Sequence, residues 1–299
     1  MSKKLLMCAS LAASLFMASC SDNEQEPNTR TYSGTMPAVV IPLSQGLDPV
    51  ITEMPVRITQ YYDRGNSWIT RVNKLDVTGF NTLAFETPEL SGTDSNGNIF
   101  IKSLSNFTAE TGQTVRDFNL EIYNNYYFLS MGSSGGYVPA PYGSLIACNY
   151  KVGADYSVAT FPVQAYYGGV TTTYYMQGSE QKEFVNNVPM YFVNIDLAKR
   201  TAQVTIYNVK FAESMPMALS AVTLRGLKIE ASRQSGYVIS GDNIVPGVGI
   251  GANEVDYPQY TFDHFEMYPT NQSLTKCAIA YSVAGKYSGV FTGSYPVEQ

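Results

Sequence analysis

The sequence predicts an all-β chain of two tandem β-barrel-like domains behind an export signal, and three observations carry that expectation. Runs such as Val56-Arg57-Ile58-Thr59-Gln60-Tyr61, Gln203-Val204-Thr205-Ile206-Tyr207 and Ala278-Ile279-Ala280-Tyr281-Ser282-Val283 alternate, or run in, β-branched and aromatic residues. Gly, Pro, Asn and Asp bound them, and no stretch keeps a helical apolar period over several turns. Short motifs also recur in one order along the two halves of the chain.

Residues 1–19 read as a signal peptide. Lys3 and Lys4 give a positive start, Leu5 to Met17 is mostly apolar, and Ala18-Ser19-Cys20 is a small-small-Cys cleavage site. The apolar run falls short of the ~20 residues a membrane-spanning helix needs. The mature chain is then expected to begin at Cys20, which carries lipid and makes the membrane a partner. Ser21 to Arg30 is polar and contains Pro27, so residues 20–30 read as an acylated cysteine and flexible tether. Met17-Ala18-Ser19-Cys20 resembles a bacterial lipobox, with Met17 in place of the usual Leu. Ser21-Asp22-Asn23-Glu24-Gln25-Glu26 resembles the surface-export signal of Bacteroidetes lipoproteins. The resemblance implies an outer-membrane lipoprotein at the cell surface, with a periplasm-facing orientation as the alternative.

Without Lys3 and Lys4 the mature chain has 17 cations against 25 acids, a formal charge of −8. Such a surface repels phosphate backbones, and no basic cluster offsets it, so nucleic acid is not an expected partner. Cys148 and Cys277 are the cysteines left after Cys8 is cleaved away and Cys20 is acylated. They can pair in an oxidising compartment or sit as small buried hydrophobes in their strands.

The recurring motifs set the domain limits. Tyr32-Ser33-Gly34 returns as Tyr167-Gly168-Gly169, and Ile69-Thr70-Arg71-Val72-Asn73 as Val204-Thr205-Ile206-Tyr207-Asn208. Leu120-Glu121-Ile122-Tyr123 returns as Phe265-Glu266-Met267-Tyr268. Tyr150, Val152, Tyr156 and Ser157 return as Tyr281, Val283, Tyr287 and Ser288, and Phe161-Pro162-Val163-Gln164 as Tyr295-Pro296-Val297-Glu298. Two copies of one β fold follow, residues 31–164 and 165–299, each long enough for about eight strands. The Tyr-x-Gly start and the Tyr/Phe-Pro-Val end resemble the calycin-like (lipocalin-like) β-barrel domains of Bacteroidetes lipoproteins. That resemblance implies a ligand-holding barrel and carries over no catalytic residue. Drift in the spacing between matched motifs places an insertion of the second copy within Ser240 to Pro258, and one of the first copy around Met131 to Gly143, a Gly/Ser/Pro loop.

Motifs that could carry chemistry have weaker footing. Gly132-Ser133-Ser134-Gly135-Gly136 spells a nucleophile elbow, yet Pro139 and Pro141 follow where a helix is required. His264 is the only histidine, too few for a His-rich zinc site, and reads as an ordinary strand residue. Asp94-Ser95-Asn96-Gly97-Asn98 has calcium-loop spacing at its start, but Ile99 and Ser105 stand where Gly and Glu are needed, so a hairpin turn fits better. Gly247-Val248-Gly249-Ile250-Gly251 lacks the Lys-Ser/Thr of a phosphate loop.

No metal, cofactor or catalytic set is therefore expected. Of the 23 tyrosines, eleven fall between Tyr123 and Tyr175. Packing in the sheets accounts for most of them, but Tyr also gives large contact area at small entropy cost. The candidate ligand-binding residues are Trp68, Tyr126, Tyr127, Tyr137 and Tyr142. The expected function is a non-catalytic binding module for a small apolar or glycan ligand. The alternative is a structural or adhesive fimbrial-type subunit that works by strand pairing.

Overall fold

The computed structural model describes residues 29–62, 68–76, 83–87, 91–93, 99–104, 107–123, 128–131, 136–139, 145–177, 180–186 and 190–295. Among them there is no α-helix, and the predicted all-β class holds. The strands form two main sheets, antiparallel throughout, one curled into a half-barrel and the other closed into an eight-stranded barrel.

The half-barrel is built from β1 (Thr29–Pro42), β2 (Val50–Tyr62), β3 (Trp68–Leu75), β4 (Leu83–Thr87), β5 (Ser91–Thr93), β6 (Ile99–Leu104), β7 (Phe107–Thr108), β8 (Thr114–Tyr123), β11 (Leu145–Val152) and β12 (Tyr156–Thr160). Its order is β4-β3-β2-β1-β12-β11-β8-β6-β5, with β7 on β8. Between β8 and β11 stands a separate hairpin, β9 (Phe128–Met131) on β10 (Gly136–Pro139). The stretch expected to be an inserted loop thus contains a paired hairpin. The barrel follows as β13 (Gln164–Gln177), β14 (Glu180–Asn186), β15 (Tyr191–Asp196), β16 (Thr201–Val209), β17 (Leu219–Ser232), β18 (Gly236–Ile244), β19 (Gly247–Val248), β20 (Val255–Asp256), β21 (Phe262–Pro269), β22 (Lys276–Val283) and β23 (Tyr287–Ser294). The β16–β17 ladder closes the ring. The extra elements β19, β20 and the 3-10 turn Gly251–Asn253 fall where the second insertion was expected, and a second such turn, Pro258–Tyr260, starts at its end.

Matched motifs lie on matched strands. Tyr32 and Tyr167 are in β1 and β13, each of which pairs with the last strand of its own sheet. The next motifs fall on β3 and β16, then β8 and β21, then β11–β12 and β22–β23. The β8/β21 match is slipped, however. Leu120 faces Cys148, and the residue corresponding to Cys148 is Ile279, which faces Met267 and not Phe265. The true counterpart of Leu120 is Met267, and that of Phe118 is Phe265.

One difference opens the first sheet. β17 is one continuous strand that pairs with β16 over Leu219 to Lys228 and with β18 over Lys228 to Ser232. In the half-barrel that place falls to two pieces, β4 pairing with β3 and β5 pairing with β6. No ladder joins those two arms among the described residues.

Alternation along β1 divides its side chains between two cores. Ala38 and Val40 face the half-barrel core with Met54, Ile58, Phe118 and Tyr150, whereas Val39 joins the barrel core along with Ile51, Ala159 and Phe161. The turn end of the barrel therefore sits on the outer face of the half-barrel. Arg200 Nη2 donates to Ile51 O at 2.8 Å and Arg233 Nη1 to Pro42 O at 2.7 Å across the same joint. Arg233 Nη2 also donates to Leu47 O.

Candidate functional site

A ligand-holding barrel needs an empty interior, and this one is filled with its own aromatic side chains. In the lower layer Tyr167 stacks on Tyr191 with centroids 5.0 Å apart, and Tyr237 lies beside them with its hydroxyl 3.6 Å from Cys277 Sγ. Phe161, from the segment joining the two sheets, stoppers this end with its ring 4.6 Å from Tyr237. In the upper layer Phe211 meets Tyr260, Phe262, Tyr281 and Tyr287 at 5.3 to 6.0 Å. Burial raises the phenols of Tyr167, Tyr191 and Tyr237 well above their ordinary range and pushes the Cys277 thiol up to about 12. These groups stay protonated and serve as packing.

Among the described residues an open space lies outside the barrel, at the joint. A cleft of about 480 Å³ runs between the outward side chains of β1, β8, β11 and β12 and two turns of the barrel, those joining β17 to β18 and β21 to β22. Val39, Ile41 and Leu43 give it an apolar strip on one wall, and Leu274 one on the other. Asn149, Lys151 and Ser157 project from the half-barrel because they sit on the outward face of their strands. Gln234, Asn271 and Gln272 come from the barrel turns.

Asp117 reaches this cleft by way of a β-bulge. Asn149 faces Asn119 and Lys151 faces Arg116, so Asp117 and Phe118 together stand opposite the single residue Tyr150. Asp117 absorbs the extra residue at φ 51, a conformation that Asp tolerates better than most residues. Its carboxylate accepts from Lys151 Nζ at 2.8 Å, and the side chain is 63% exposed. That hydrogen bond, followed by the charge of Lys151, holds the Asp117 carboxyl below its ordinary range. Behind the wall, Asn149 Oδ1 is buried with no hydrogen-bond partner among the described residues. An unsatisfied buried acceptor costs about 1–3 kcal/mol.

The residues singled out from the sequence fall elsewhere. Trp68 opens β3 opposite Tyr62, and Tyr137 lies in β10 opposite Ser130. Tyr126, Tyr127, Tyr142 and Cys20 lie outside the described residues, as do 132–135 of the elbow motif and 94–98 of the calcium-like run. The strands flanking that run do pair antiparallel, Thr93 opposite Ile99. Gly247 and Gly249 serve a loop folded on itself. A Cβ on Gly247 would meet Glu254 Oε1, and one on Gly249 would meet the Asn253 carbonyl 2.5 Å away. His264 is an exposed strand residue on the outer wall of the barrel, its Nδ1 2.7 Å from Asp242 Oδ1. No cluster of metal-ligating side chains occurs among the described residues. Cys148 and Cys277 are free and buried in separate cores, which settles their pairing in favour of packing.

Sequence reasoning missed Asp117, Asn149, Lys151 and Arg233. Polar residues alternating on a strand read as a solvated face, and only the docking of the barrel turns that face into a wall.

No family model matches the chain, and no curated protein matches it. Among solved structures it is similar to a protein of Bacteroides fragilis provisionally described as an outer membrane protein, at 11% identity and a TM-score of 0.30, over 88% of this chain and 97% of that one. It is also similar to a protein of unknown function from the DUF3598 family of Nostoc punctiforme, at 9% identity and a TM-score of 0.22, over 88% of this chain and 94% of that one.

Proposed function

We propose that the protein is a non-catalytic binding module, tethered to the outer membrane by lipid on Cys20, and that the cleft between half-barrel and barrel is its small-ligand site. The contrast between two hollows carries this reading: the barrel lumen is occupied by Tyr and Phe side chains, while the cleft is open. Its volume of about 480 Å³ falls inside the range of roughly 300–1,000 Å³ common to small-ligand pockets. Binding is favoured over turnover because His264 lies toward the upper end of β21, whereas that strand meets the cleft at its lower end, Pro269. The Cys148 and Cys277 thiols are buried and raised, far from nucleophilic.

Native mass spectrometry of the mature chain, purified from cells without added ligand, tests the site. A bound mass is expected, and Ser157→Trp, which fills the cleft, is expected to remove it. A mass that persists in that variant would place the ligand elsewhere. The tether and outward orientation rest on Cys20 and the acidic tract after it. Cys20→Ala should release the protein from membranes, and protease added to intact cells should cut the tethered form only if it faces outward.

The structural or adhesive reading draws on one observation: among the described residues no ladder joins the β4 and β5 arms of the first sheet. Assemblies of the purified chain that resist denaturant would favour it.

A further inference from the structure

Resting on the reading of the cleft as the ligand site, we infer that its ligand is a neutral saccharide held through its hydroxyls by Asp117, with Asn149 as a second acceptor. The charged residues lining the cleft are Asp117, Lys151 and Arg233, and each already has a partner inside the protein. An anionic ligand would have to pull Lys151 off the carboxylate or Arg233 off two backbone carbonyls, and would still face Asp117. A cationic ligand would meet the two basic side chains. A wholly apolar ligand would cover Ser157, Gln234, Thr270 and Gln272 without giving them partners, which is unfavourable.

What the wall offers is uncharged hydroxyls and amides that both give and accept, beside strips of aliphatic carbon. A sugar ring presents the complement: hydroxyls at its rim and C–H groups on its faces. The surplus on the protein side is of acceptors. Lys151 engages Oδ2 of Asp117, and the carboxylate is otherwise open to the cleft. Asn149 Oδ1 is covered in this structure, so a hydroxyl reaches it only if the wall shifts. A polyol supplies several donors at once, which is what two acceptors on adjacent strands require. The bulge fits the same purpose, since irregular strand geometry of this kind re-aims a side chain at a site.

The test titrates the full mature chain with malto-, cello-, xylo- and mannotriose, with trigalacturonate as an anionic probe and palmitate as an apolar one, by calorimetry and saturation-transfer NMR. At least one neutral trisaccharide should bind saturably, and Asp117→Ala should weaken it about tenfold or more, the loss expected for a hydrogen bond to a charged group. Asp117→Asn, which keeps one acceptor, should lose less, and Glu230→Ala, at an exposed position of β17 outside the cleft lining, nothing. Asp117 is exposed, so these variants should fold, and their melting curves will show it. Failure of every neutral saccharide to bind, or binding indifferent to Asp117→Ala, overturns the inference. Binding of trigalacturonate or palmitate that Ser157→Trp abolishes would keep the cleft as the site and discard the saccharide. Saccharide binding that survives Ser157→Trp would discard both.

Discussion

β8 and β21 occupy the same place in the two sheets and each carries one extra residue, yet at positions one residue apart and to different ends. Each has one residue more than its partner strand over the matched stretch, Val115 to Leu120 against Val152 to Cys148, and Phe262 to Met267 against Val283 to Ile279. In the barrel the extra residue falls at Asp263, whose carboxylate accepts from the Gly285 amide at 2.7 Å and ties down the β22–β23 turn. In the half-barrel the extra residue falls one position further along, at Asp117, which matches His264 and turns outward to Lys151 and the cleft. Arg116, which matches Asp263, donates to the Gly153 carbonyl at 2.8 Å and ties down the β11–β12 turn. In both sheets the residue at the position of Asp263 or Arg116 holds the next turn; what differs is where the extra residue falls. Moved by one residue onto the outer face of the half-barrel, at φ 51, it leaves a carboxylate available to a neighbour. The joint, the open arms and the cleft are the places where this contrast can be broken.

The largest effect is expected at the joint. Phe161 is fully buried against Tyr237, at the point where the chain passes from one sheet to the other. Phe161→Ala should cost about 3–5 kcal/mol in denaturant unfolding, the usual loss for a deleted core aromatic. A cost near that of a surface substitution would mean that the barrel end is not stoppered as described. Phe118→Ala and Phe265→Ala, at matched positions in the two cores and both fully buried, give the internal scale.

Next comes the difference between closed and open arms. Amides on the β16–β17 ladder should exchange only with global opening, because β16 is also paired with β15 and β17 runs on unbroken into its ladder with β18. Amides of β4 and β5, each with one ladder, should exchange through local opening at a cost lower by a few kcal/mol. Hydrogen exchange with site resolution measures this directly. Protection of β5 equal to that of β16 would show that the half-barrel is closed in solution.

Much of this architecture was legible in the sequence and some was not, for physical reasons. Strand identity and the order of the repeats follow from alternation and turn residues, which are local. The slip in β21 was invisible because side chains on a strand repeat every second residue. Aligning Leu120 with Phe265 or with Met267 puts an apolar residue on the same face either way. That β4 pairs with β3 and β5 with β6 depends on partners set by the whole sheet and not by local pattern. Tyr167, Tyr191 and Tyr237 are strand tyrosines that turned out to be the filling of the barrel, so the resemblance to a ligand-holding barrel gave the shape but not the empty interior.

A smaller effect is expected where Arg233 bridges the sheets. Its guanidinium donates to the carbonyls of Pro42 and Leu47, and the residue is largely solvent-facing, so Arg233→Ala should cost about 1 kcal/mol. Arg233→Lys, with one compact charge, should restore only part of the loss. A neutral result would mean that the hairpin turn at 43–49 is held without it.

The smallest effect on stability, and the sharpest on the comparison, belongs to Lys151. The hydrogen bond from Lys151, and then its charge, lower the Asp117 carboxyl in the folded chain. A lowered carboxylate contributes stability above its ordinary titration range and loses it as the pH falls through the lowered value. Because the pair is solvated, melting temperature should barely respond to Lys151→Met. The carboxyl signal of Asp117 should respond. By NMR it should titrate below the ordinary value of about 3.9 and move up toward it once Lys151 is gone. Asp196, lowered by its own hydrogen bond to Lys199 on a barrel turn, should not move. If Asp117 titrates alike in both proteins, Lys151 does not hold it, and the outward bulge of the half-barrel presents a lone carboxylate to the cleft instead of a neutralised pair.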